Sequence, residues 1–106
     1  MACLVCAAHQ NGLDLRTSAA VLAQVWRLGQ PAHELKNLIR AIDVRPIDQE
    51  LAHQAGALMV RTRTIDLINA SLVLIADHGD RILTEEPSEI TRLARAANKR
   101  IAVISC

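Results

Sequence analysis

The segment from Ile65 to about His78 constrains this chain most, because it is apolar on nearly every face of the helix it would form, through Leu67, Ile68, Leu72, Val73, Leu74 and Ile75. A helix with no polar face has to be covered on all sides, so other layers must be built around it. SLVLIA within it passes for a strand by composition, and the length of the segment and a Thr64 cap decide for a helix. The fold is therefore expected to place this helix at its centre.

The flanking sequence supplies the cover as alternating strands and helices. Residues 13–17 read as a short strand, and Thr17 or Ser18 caps a helix from Ala19 to about Leu28, ended by Gly29. Val21, Leu22, Val25 and Trp26 form its inner stripe, so Trp26 is expected to be buried. Pro31 opens a second helix carrying Leu35, Leu38 and Ile39 to about Ala41. Ile42, Val44 and Ile47 alternate around Pro46 as an edge strand, and Asp48 caps a helix to about Val60 with Leu51, Ala55, Leu58 and Met59 inward. Gly79-Asp80 turns into a strand at residues 81–84. Ser88 and Glu89 behind Pro87 start a helix to about Asn98, and Ile101 to Ile104 is an apolar strand of the parallel type. Residues 2–10 read as a turn or two of helix stopped by Asn11-Gly12. This alternation implies an α/β layered sheet with helices on both faces, in one domain spanning residues 1–106.

Composition narrows the function. Of the 106 residues 51% are hydrophobic, enough for one core. Trp26 is the sole aromatic residue, so stacking platforms for single-stranded bases are nearly absent and any RNA contact must be mostly ionic. A net charge of +1 argues against generic binding to nucleic acid or an anionic membrane. Cys3, Cys6 and Cys106 are an odd set without a secretory signal, which points to a reducing cytoplasm, and the Cys3/Cys6 pair reads as small apolar residues rather than a redox or zinc motif. Residues 1–8 are too short and too poorly flanked for a membrane span or a signal peptide. His9, His33, His53 and His78 form no metal-ligating spacing, and no nucleophile elbow, phosphate loop or dinucleotide glycine pattern occurs.

Two stretches gather acids where strands end. RTRTIDLINA at residues 61–70 starts the apolar helix with Asp66 and sets Asn69 one turn later on the same face, and TEEP at residues 84–87 closes a short apolar run. Acidic side chains collected at the carboxyl ends of strands in an α/β protein suit a divalent metal. The simpler alternatives are an Asp66 that complements a helix dipole, a solvated Glu85/Glu86 turn, and Gln24 and Asn69 bonded locally.

In these residues the chain resembles the PIN-domain ribonucleases, in particular the VapC-type toxins of bacterial toxin–antitoxin modules. VLAQVWR at residues 21–27 resembles the motif that carries a Glu after Val-Leu-Ala. RTRTIDLINA resembles the Thr-Ser-Asp motif with a second Asp three residues on, and ILTEEPSEI at residues 82–90 resembles the strand ending in Thr-Ser-Asp-Pro. The resemblance implies metal-dependent endoribonuclease cleavage of RNA in the cytoplasm, with Asp66 and Glu86 holding Mg²⁺ or Mn²⁺ and Gln24 and Asn69 orienting the attacking water. It also implies a cognate antitoxin and a homo-oligomer, and no membrane. The family's first strand and its Asp have no counterpart, and Gln24, Asn69, Ile65 and Glu86 replace Glu, Asp, Ser and Asp. Amides keep the oxygen and lose the charge, so an impaired nuclease is expected, with an inactive module that binds an antitoxin or another protomer as the alternative. The absent strand belongs at the sheet centre, between residues 13–17 and 81–84. The two bared edges are expected either to pair directly or to drive self-association, with association the favoured outcome.

Overall fold

Asp48 does what its place in the sequence predicts: its Oδ1 accepts the Leu51 amide at 2.8 Å and starts a helix that runs through Thr62. Ser18 likewise accepts the Val21 amide at 3.3 Å to start the helix that follows the second strand. The computed structural model describes residues 6–8, 15–27, 29, 36, 37, 40 and 42–105. In chain order these give β1 (Cys6–Ala8), β2 (Leu15–Ser18), α1 (Ala19–Arg27), β3 (Ile42–Arg45), α2 (Gln49–Thr62), α3 (Leu67–Ile75), β4 (Arg81–Thr84), α4 (Pro87–Ala96) and β5 (Ala102–Ser105). Most of the helix expected from Pro31 lies outside the described residues.

The sheet order is β3-β2-β1-β4-β5. β2 pairs with β3 and β4 with β5 in parallel, while β1 is antiparallel to both β2 and β4. Four strands therefore point one way and the central one points against them. This corrects two expectations at once. Residues 6–8 are strand rather than helix, and the central slot is occupied, with Ala7 opposite Arg16 on one side and Ile82 on the other. The cause is the demand of two strand edges for hydrogen-bond partners, which outweighs the helical preference of an alanine-rich segment. β3 and β5 form the outer edges, as the alternation around Pro46 predicts for β3.

The chain is thus a mixed α/β domain organised around α3. Asn69, Ala70, Ser71, Leu72 and Val73 of this helix are all buried, as its apolar surface requires. Ala70, Leu72 and Val73 share one apolar cluster with Val21 of α1, Ala55 and Leu58 of α2, Ile82 of β4, and Ile90, Leu93 and Ala94 of α4. Burying each of the larger side chains contributes roughly 1.5–3 kcal/mol. Trp26 does not join them. It is 52% exposed on α1, which corrects the expected inner stripe: Val21 is buried and Val25 packs against the cluster from its edge. A nine-residue helix buries only a narrow face here, and Trp26 lies beyond it. Gly79, with φ of 89°, makes the tight turn from α3 into β4.

Candidate functional site

The direction of α3 fixes what can meet at each end of the sheet. Ser71, at its midpoint, donates from Oγ to Ser18 Oγ at 2.8 Å, at the carboxyl end of β2. Ile75, its last residue, offers its carbonyl to Arg16 Nη1 at 3.4 Å, nearer the start of β2. Helix α3 therefore runs antiparallel to β2, and its amino end lies at the carboxyl ends of β2 and of the co-directional β4. Asp66 stands at that amino end, Thr84 ends β4, and Glu85 and Glu86 follow directly from it. The sequence-derived acids are brought to one pole of the sheet, where open α/β folds place their ligands.

Within that pole the contacts are specific. Asp66, rather than Thr64, caps α3: its Oδ1 accepts the Asn69 amide at 3.0 Å, and the Asp66 amide donates to Thr64 Oγ1 at 3.2 Å. Asn69, only 3% exposed, then donates from Nδ2 to Asp66 Oδ2 at 2.9 Å. Both oxygens of Asp66 are held by one residue. An aspartate at position 69 has no such N–H to give, so the amide converts a potential ligand pair into a closed hydrogen-bonded pair.

The other candidates are placed differently. Gln24 turns to its own helix, where its Oε1 accepts Arg27 Nε at 3.2 Å. Glu86 is exposed at the start of α4 and makes no side-chain cap bond, while its amide donates to the buried Thr84 Oγ1 at 2.9 Å. Thr84 is thus spent on ordering the turn. Among the described residues no three His, Cys, Asp or Glu side chains gather closely enough to hold a metal ion. Asp66 with each oxygen already engaged by Asn69, and Gln24 turned to Arg27, do not fit a tightly held Mg²⁺, which needs several convergent anionic oxygens to replace its water.

Two features at the sheet ends escaped sequence reasoning. The Ser18–Ser71 hydroxyl pair is fully buried and ties β2 to α3 beside the acids, yet Ser18 looked only like a cap and Ser71 like one polar residue in an apolar run. At the opposite pole Lys99 donates from Nζ to the carbonyls of Val73, Leu74 and Ala76 at 3.2, 2.7 and 2.6 Å. Asn98, at φ of 56°, turns the chain so that this ammonium closes the carboxyl end of α3. Burial lowers the Lys99 pKa, against the opposing pull of Asp77 and Asp80. Arg16 completes this pole with ion pairs to Asp77 at 3.0 Å and Asp80 at 3.6 Å.

No protein-family model matches the chain, and no curated protein or solved structure matches it either. Among the described residues no helix is long and apolar enough to cross a membrane.

Proposed function

We propose that this chain is a PIN-like domain of the VapC toxin type, of an endoribonuclease lineage that acts on RNA with Mg²⁺ or Mn²⁺, and that cleavage is impaired in it. The meeting of Asp66 and Asn69 at the pole where β4 delivers Thr84 and Glu86 carries the reading, since it is the arrangement that the second and third sequence motifs require, while Gln24 of the first turns to Arg27. Impairment follows from the same contact. The carboxylate that would serve as first ligand has each oxygen engaged by a hydrogen bond from Asn69, and Glu86 offers its charge from an exposed turn with a side chain one methylene longer than Asp.

The test is RNA cleavage with Mn²⁺ by the parent and by the Gln24→Glu/Asn69→Asp variant, beside calorimetric Mn²⁺ titration. The parent is expected to cleave no faster than its metal-free control. The variant is expected to bind Mn²⁺ more tightly, because each change adds an anionic oxygen. Unchanged affinity means that these residues do not converge on a metal and removes the reading.

The second reading is a binding module without catalysis, docking an antitoxin or a second protomer in the cytoplasm. It is favoured by Val60, Ile65 and Leu67, which lie 79%, 99% and 38% exposed between the end of α2 and the start of α3. Apolar side chains bared on both sides of one turn suit a protein partner.

A further inference from the structure

A basic groove runs away from the candidate site along α4. It begins at Pro87 and Ser88, next to Glu86, in a depression of about 600 Å³ bounded by Thr91, Arg92 and Arg95. A second depression of about 610 Å³ shares Thr91 and Arg95 with the first and continues past Lys99 and Arg100. Two residues in common make the pair one track from the site pole to the opposite pole. Four cations line it. Arg92 is engaged by Glu89 at 2.8 Å and by the Thr62 carbonyl, and Lys99 by the end of α3. The side chains of Arg95 and Arg100 have no hydrogen-bond or ion-pair partner among the described residues, and both are exposed. No carboxylate lines either depression.

We infer that this track is a binding site for the phosphate backbone of single-stranded RNA, with Arg95 and Arg100 as its two phosphate contacts and the hydroxyls of Ser88 and Thr91 as secondary donors. The inference rests on the RNA-directed reading above. It adds the path by which a strand reaches Glu86. Guanidinium groups free on one wall bind phosphate oxygens in pairs. The absence of any aromatic residue along the track makes the contact ionic and indifferent to base sequence. An acidic peptide would satisfy the same charges, but the continuity of the groove with the acid-bearing turn favours a strand that is drawn toward that turn.

The test is fluorescence anisotropy of a labelled oligouridylate without divalent metal, across a salt series, with the full chain. The Arg95→Gln/Arg100→Gln variant is expected to lose about tenfold in affinity at low salt. Its log–log salt slope should fall by about 1.4, or 0.7 for each phosphate contact removed. Arg45→Gln, at the opposite edge of the sheet and paired with Asp43, serves as the control and is expected to bind as the parent does. Equal losses in the control, or an unchanged slope in the double variant, overturn the inference. Oligoglutamate that displaces the RNA at lower concentration than unlabelled oligouridylate overturns it too, in favour of a peptide. Because metal is omitted, binding that depends on Arg95 and Arg100 stands even if cleavage is never restored. Restored cleavage with arginine-independent binding removes the track alone.

Discussion

Asn69 decides more than any other residue in the chain. Its backbone N–H and its side-chain Nδ2 hold the two oxygens of Asp66, so Asn69→Asp removes the buried Nδ2 donor and sets two carboxylates side by side. The metal-free variant is expected to be about 2–3 kcal/mol less stable. Mn²⁺ should recover part of this loss by binding the native state alone, and thermal melts with and without metal check both effects. Trp26→Ala, by contrast, is expected to cost about 0.5 kcal/mol or less, because the indole is half exposed, with a parent emission maximum typical of solvated tryptophan. Lys99→Met should cost about 2 kcal/mol through the lost bonds to the three α3 carbonyls. Its pH behaviour has a definite sign. With a folded pKa below the ordinary 10.5, the native state binds fewer protons than the unfolded chain between those two values. Stability from this group is therefore complete above 10.5 and is lost as pH falls through the lowered value. Denaturation curves taken on the alkaline side up to pH 10.5 should show the parent gaining relative to Lys99→Met as pH rises.

At the scale of elements, the sequence was legible wherever a cap or a buried periodicity wrote the structure locally. Asp48 and Ser18 cap the helices they were expected to cap, Ala55 and Leu58 turn inward, and the run from Ile82 emerges as a strand. The start of α3 was legible only to within a turn, because Thr64 and Asp66 are both competent caps and the backbone uses one for the turn and the other for the helix. The strand β1 was not legible at all. Three residues carry no period, and what makes them a strand is the pair of edges on either side, which lie far along the chain. Ala7→Pro tests that origin. Proline removes a ladder donor from the centre of the sheet and is expected to cost about 3 kcal/mol or more, read from urea unfolding. A loss under about 1 kcal/mol would mean that β1 contributes little to the sheet. The candidate site was legible as a set of positions but not as a set of contacts. Spacing puts Asp66 and Asn69 on one face, whereas the choice of Gln24 for Arg27 is made by the exposed face of α1.

For the whole molecule, closing the central slot changes what drives association. With β1 between β2 and β4, the expected pressure to pair through bared inner edges is relieved within one chain. Association, where it occurs, is expected to use the apolar turn instead. Ile65→Asp, at a side chain already 99% exposed, should leave the unfolding curve unchanged and shift light scattering toward monomer. Dimers that persist in Ile65→Asp would rule that turn out as the contact.

The reversed direction of β1 separates two properties that a co-directional strand would bind together. A hydrogen-bond ladder accepts a neighbour of either polarity, so the slot is filled for folding in both cases. Catalysis is not so tolerant: a strand running with β2 and β4 would carry its last side chains to the pole of Asp66, whereas β1 ends, at Ala8, opposite Leu15 and Arg81 at the other pole. Filling the slot and delivering side chains to the Asp66 pole are therefore separate properties of a central strand, and β1 supplies the first without the second.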